Sequence, residues 1–233
     1  MISHENKCIF IHIPKVAGTS VIRVFADKNR EAVERDPFPF TAEQDKFDPP
    51  PPHMRAHDHV KFGLATQEEF DSYFKFAFTR NPWDRIVSEY KYRGYVRLYP
   101  FKEYLFQHLP KPYWGDNYCH IIPQYDFIYD ATGNNLLDFV GKFENLESDF
   151  AYVCKQLSIA DASLPHTNKS LSIFTRRDNN LRTMLKTFRD LISINRRRNT
   201  FSHYTQYYDK ETIDFVAQLY KNDIDKFNYD FGQ

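Results

Sequence analysis

Only three cysteines, Cys8, Cys119 and Cys154, occur in 233 residues. The number is odd and no metal-ligand spacing links them, which excludes a disulfide framework and makes a reducing compartment the default. Net charge is absent too. The 31 Lys plus Arg match the 31 Asp plus Glu, so no overall field draws the chain to nucleic acid, and any basic site must be local. No apolar run approaches membrane-spanning length, and a strand signal starting at Cys8 leaves no room ahead of it for a signal peptide. These absences predict a soluble cytoplasmic protein without a membrane anchor.

The stretch IFIHIPKVAGTSV, residues 9–21, holds a single glycine, Gly18, and its lysine, Lys15, comes before that glycine. A G-x-x-x-x-G-K-[ST] loop places the lysine after its second glycine, so the order here disfavours a P-loop kinase. Residues 8–13 are apolar and rich in isoleucine, which predicts a strand buried on both faces of a parallel sheet. Pro14 ends it, Gly18 permits a close turn, and residues 21–35 read as a helix. Strand, turn and helix N-terminus aim free backbone N–H groups and a positive helix end at one point, where anions bind. Lys15, Thr19 and Ser20 add an ammonium and two hydroxyls. The alternative is an ordinary strand-to-helix turn with a surface lysine.

A second buried strand is predicted over FKFAFT, residues 74–79, and it lacks the acidic end that would hold Mg²⁺ in a nucleotide triphosphatase. It runs instead into Arg80, with Asn81 and Pro82 as N-cap and first residue of the helix WDRIVSEYKY. Arg80, Arg85 and Ser88 can form a second anion site without metal. The alternative is that Arg80 and Arg85 pair with Asp84 or Glu89.

Elsewhere, proline-rich residues 36–59 predict a long loop, and Thr66 with Glu69 predicts a capping box before a short helix. A third core strand is expected over residues 136–143, then a helix capped by Asn145, and one amphipathic helix from Asp209 to Phe227. The abundant aromatics, 22 Phe and 16 Tyr, suit either an aromatic core or carbohydrate-stacking surfaces. Length suits one domain, 1–233, and the alternation of elements predicts an α/β fold: a P-loop-NTPase-like open parallel sheet with helices on both faces.

Taken together, PKVAGTS and FAFTRNPWDRIVSEY resemble the paired phosphate-binding signatures of sulfotransferases that use 3′-phosphoadenosine 5′-phosphosulfate (PAPS). The resemblance extends to KFENLESDF, LPHTNKS and the C-terminal segment, in the manner of the bacterial and carbohydrate-modifying branch. It implies that Lys15, Gly18, Thr19 and Ser20 bind the 5′-phosphosulfate, and that Arg80 and Ser88 bind the 3′-phosphate, with PAPS as co-substrate and no metal. Lys15 is the expected stabiliser of charge on the departing oxygen. The pattern RAHDHVKF resembles the catalytic histidine pair of the uronyl 2-O-sulfotransferases, which implies His59 as base with His57 assisting. His53 and Asp58 lie beside them, Glu144 is an alternative base, and His12 is expected to be a core histidine. The acceptor is a hydroxyl, on a carbohydrate, an acidic glycan among them, or on a small alcohol. Residues 170–200, where the resemblance lapses, read as a basic helical insertion. A non-catalytic nucleotide- or glycan-binding protein of the same fold is the other reading.

Overall fold

Every side chain of Cys8–Ile11 is buried, the pattern of a strand covered on both faces. The computed structural model describes residues 1–26, 53–112, 116–159, 164 and 201–233. Within these, one four-stranded sheet has the order β1 (Ile2–Ser3), β2 (Cys8–Ile11), β3 (Phe74–Thr79) and β4 (Phe139–Lys142). The three longer strands run parallel, with Phe10 opposite Phe76 and Phe76 opposite Phe139. β1 pairs antiparallel with β2, so the sheet is mixed, not parallel throughout. The reason is distance: the short link between β1 and β2 can close only a hairpin, since a parallel pair needs a long crossover.

Among the described residues the α-helices, in chain order, begin with α1 (Gly18–Ala26), α2 (Asp58–Lys61), α3 (Gln67–Ser72) and α4 (Pro82–Tyr92). Next come α5 (Phe101–Glu103, continued by a π-helical turn over Tyr104–His108), α6 (Asp116–Cys119) and α7 (Tyr125–Ile128). The last three are α8 (Leu146–Gln156), α9 (Lys210–Leu219) and α10 (Lys221–Phe227). The local signals worked as expected where they are chemical. Thr66 and Glu69 form the reciprocal capping box of α3, and the Asn81 side chain accepts from Trp83 N–H at the start of α4.

Three expectations differ. β4 is shorter than residues 136–143 and only half covered, because it lies at the end of the strand order; Gly141 allows it to close on the Phe78 ring. Asn145 sits at the N-cap of α8 without a side-chain cap bond. The C-terminal helix is two helices, broken at Tyr220, whose buried ring carries a hydroxyl that donates to the Ile121 carbonyl 2.8 Å away. The proline-rich segment 36–59 is described only from His53, where α2 occupies its end; the 170–200 segment and the part of the 21–35 helix beyond Ala26 lie outside the described residues. Aromatic side chains fill the core, as in the stacked Phe10–Phe76 pair at 5.1 Å and the Tyr90, Phe101, Tyr104 cluster.

Candidate functional site

The loop between β2 and α1 has positive φ at two non-glycine residues, Lys15 at 71° and Ala17 at 63°. L-residues hold such angles only where the surroundings enforce them, and alternating handedness in a short turn makes backbone N–H groups converge as an anion-binding concavity. Ser20 and Val21 N–H already donate to the Ala17 carbonyl. Gly18 and Thr19, the first residues of α1, donate to no backbone acceptor outside the helix among the described residues.

Gly18 is required for a reason other than turn freedom. A Cβ at this position would stand 2.0 Å from Cδ2 and 2.1 Å from Nε2 of His12, whose buried ring stacks on Phe10. His12 is therefore the floor of the loop. Burial drives its pKa well below the ordinary range, so it is a neutral imidazole. Gly18→Ala is expected to cost about 1–3 kcal/mol, the usual scale of overpacking. His12→Ala in the same chain should restore part of that loss, giving a coupling detectable by urea denaturation of the three variants and the unmodified protein. Purely additive effects would contradict the contact.

Lys15 is half-buried, and its ammonium lies 3.6 Å from the centre of the Tyr92 ring on α4. Burial lowers its pKa to about 8, against the pull of Glu89 and with the help of Arg80 and Arg93. The proton is thus held more weakly than on a surface lysine, and an arriving anion would restore it.

Arg80 joins the two halves. Its Nε and Nη2 donate to Asp84 at 2.9 and 2.7 Å, its Nη1 donates to the Lys15 carbonyl at 3.1 Å, and the guanidinium covers Phe143. Three of its five N–H donors are engaged in this way, which leaves two for an anion while Asp84 fixes the plane. Ser88 is half-buried one turn of α4 beyond Asp84.

Arg85 behaves differently from Arg80. It is 2% exposed and bonds neither Asp84 nor Glu89; Nε donates to the Pro14 carbonyl, and Nη2 donates to His120 and Ile122 carbonyls at 2.9 and 2.8 Å. It is an internal strut that pins the start of the β2–α1 loop to the segment after α6.

The other expected site residues lie apart from this loop. His59 is buried in α2 and donates from Nδ1 to the Arg55 carbonyl, with burial lowering its pKa to about 4. His57 is exposed, with Nε2 3.2 Å from Asp58. Among the described residues no hydrogen bond, ion pair or ring contact joins either to residues 14–20. Glu144 accepts from Asn81 N–H at 2.7 Å and from the Tyr229 hydroxyl at 3.2 Å, so both oxygens are occupied in holding the start of α4.

A group that sequence spacing did not bring forward lies against the loop instead. His53 donates from Nδ1 to the His12 carbonyl at 3.0 Å, and its ring centre is 4.5 Å from that of His12 and 5.1 Å from that of His120. His120 in turn donates from Nδ1 to buried Glu89 at 2.7 Å and stacks on Tyr92, beneath Lys15. Burial raises the Glu89 carboxyl, but the His120 and Arg93 partners outweigh it and the pKa is lowered.

The loops at the carboxyl ends of the adjacent parallel strands β2 and β3 are thus tied by one guanidinium, at the edge where open α/β sheets place their ligands. Residues 1–230 match the profile of the Sulfotransferase family. The chain belongs to the sulfotransferase family. An uncharacterized protein of Archaeoglobus fulgidus is 34% identical over 118 residues, covering 50% of this chain and 88% of that protein. No solved structure matches. As a sulfotransferase the chain needs a sulfuryl donor, and no helix among its described residues is long and apolar enough to cross a membrane.

Proposed function

We propose that this sulfotransferase moves a sulfuryl group from PAPS to an acceptor hydroxyl by in-line displacement, without metal participation in the transfer. The observation that carries the reading is the Arg80 to Lys15 carbonyl bond, which ties the two loops together and sets a guanidinium against the turn that bears Lys15. In this proposal the loop from β2 to α1 serves as a P-loop-NTPase-like phosphate loop: the 14–20 backbone, Thr19 and Ser20 hold the 5′-phosphosulfate, while Arg80 and Ser88 hold the 3′-phosphate. The acceptor oxygen attacks sulfur as the bridging oxygen to phosphate leaves. The proton goes from the acceptor to a base, and the Lys15 ammonium meets the charge on the departing oxygen. The acceptor proposed is a carbohydrate or small-alcohol hydroxyl.

The donor half is tested by thermal denaturation with adenosine 3′,5′-bisphosphate (PAP) and with AMP. PAP at a hundred times its dissociation constant should add roughly 2.7 kcal/mol of stability, with AMP adding less at equal concentration. Arg80→Ala should remove the preference, since charge-assisted bonds of about 1.5–3 kcal/mol are lost. Equal shifts with PAP and AMP in the unmodified protein would remove the 3′-phosphate site from the proposal.

His59 is proposed as base with His57 beside it, on the resemblance of RAHDHVKF. Neutral at working pH, His59 is in the form that accepts a proton. His59→Ala should lower turnover about 10² to 10⁴-fold while PAP affinity stays nearly constant. Turnover is measured with labelled PAPS against a panel of glycans and small alcohols. Full turnover in the His59 variant would move the role to His57 or Glu144.

A further inference from the structure

Spacing along the chain links no metal-ligand set among the cysteines, but the fold brings one of them beside two histidines distant from each other in sequence. His53, at the start of the turn before α2, and the adjacent pair Cys119 and His120, at the end of α6, are all buried. One ligand atom from each lies within 4.8 Å of the others, a spacing that a small side-chain adjustment closes to the reach of a single ion. The thiol of Cys119 is not in a disulfide.

Three features around the cluster match what metal sites use to hold their ligands. His120 donates from Nδ1 to the Glu89 carboxylate at 2.7 Å, and Glu89 is held by Arg93 at 2.8 Å, a carboxylate–imidazole pair of the kind that orients a ligating histidine. His53 donates from Nδ1 to a backbone carbonyl, that of His12, which fixes its ring in the same way. His12, 8% exposed, adds a buried Nδ1 without a hydrogen-bond partner, and its ring abuts that of His53. A buried imidazole nitrogen left unpaired is costly in a purely structural core.

We propose that His53, Cys119 and His120 form a binding site for a borderline-soft divalent cation, Zn²⁺ in particular. With both Nδ1 atoms engaged, coordination falls to Nε2 of each histidine and to the Cys119 sulfur, a nitrogen–sulfur donor set suited to zinc and unsuited to Mg²⁺ or Ca²⁺. Binding replaces whatever proton or hydrogen bond those atoms carry, and the Cys119 thiol loses its proton to water. The thiolate offsets one of the two charges of the ion, and the Glu89 carboxylate, shared with Arg93, lies behind His120. The ion would cross-link the chain before α2 to the end of α6, directly behind Tyr92 and the wall on which the Lys15 ammonium rests. The inference stands on this cluster alone and does not depend on the donor or acceptor.

The test uses the full chain stripped of metal with a chelator. Titration with Zn²⁺ against a chromophoric competitor should show one equivalent bound, and Co²⁺ should give a thiolate-to-cobalt charge-transfer band. Cys119→Ser should abolish that band, and Cys119→Ser and His53→Ala should each weaken Zn²⁺ binding at least tenfold, whereas His203→Ala, at an exposed histidine, should not. Should Cys119→Ser fail to fold, X-ray absorption at the zinc edge of the unmodified protein decides, with one sulfur expected at about 2.3 Å and nitrogens at about 2.0–2.1 Å. Less than stoichiometric binding, an oxygen and nitrogen shell without sulfur, or unchanged affinity in both variants overturns the proposal.

Discussion

Lys15→Ala is expected to lower turnover roughly 10² to 10³-fold, the effect of removing one fixed charge from the place where charge develops in a transition state. The fold should survive, because the side chain is only half-buried and its described contact is the Tyr92 face, worth about 0.5–1 kcal/mol. Lys15→Gly sharpens the test. It removes the same ammonium but also relieves the positive φ of 71°, a strain of about 1–2 kcal/mol for an L-residue. Stability should therefore hold within about 1 kcal/mol, the relief offsetting the greater chain entropy of glycine, while turnover falls as far as in the alanine variant. A pH profile supplies the third arm. Since Lys15 gives up its proton as pH rises through about 8, kcat/KM of the free enzyme should decline there. Lys15→Arg should move that decline upward, because a guanidinium stays charged. A Lys15→Ala enzyme with undiminished turnover on labelled PAPS would remove the lysine from the mechanism.

Arg85→Ala is expected to be the most destabilising single change, by about 3–5 kcal/mol, the scale for breaking a buried charged network from one side. Carbonyls of Pro14, His120 and Ile122 would lose their donor together, and no water reaches a site 2% exposed without loosening the packing. Asp223 would lose a stabilising charge as well. Its carboxyl is fully buried, accepts from Gln124 and Tyr125 N–H, and is raised by burial to about 6 even with Arg85 nearby. Its folded pKa exceeds the unfolded one, so its contribution is complete below about 4 and is lost as pH rises through 6. Without Arg85 that loss deepens. Arg85→Lys should recover only part, because an ammonium has no planar fork to serve three acceptors. Chemical denaturation of the three proteins measures both effects, and a loss under about 1 kcal/mol in Arg85→Ala would mean that the carbonyls are satisfied some other way. Donor affinity should fall in parallel, since Pro14 opens the anion loop.

The elements around the site were legible in the sequence because their signals act within a few residues. An apolar run such as FKFAFT, stopped by Asn81 and Pro82, announces a strand and the start of a helix by local chemistry alone, and β3 and α4 begin and end where those residues say. The Thr66–Glu69 box is the same kind of signal. Even the Arg80–Asp84 pair is local, four residues apart, and the alternative pairing considered for Arg80 names it. Arg85 shows where that reach ends. Its partners are backbone carbonyls of residues 14, 120 and 122, and since every residue carries a carbonyl, no residue type marks which ones a guanidinium will meet. The same holds for Gly18, where the sequence suggests a turn and the fold supplies a histidine ring in the space a Cβ would fill. It holds for His53, Cys119 and His120, whose meeting depends on the path of the chain between them and not on their spacing. Sequence alone thus determined β2, β3 and the caps of α3 and α4. Which side chains converge behind the turns that follow β2 and β3 was decided by tertiary packing, because burial brings together groups whose separation along the chain carries no information about distance in space.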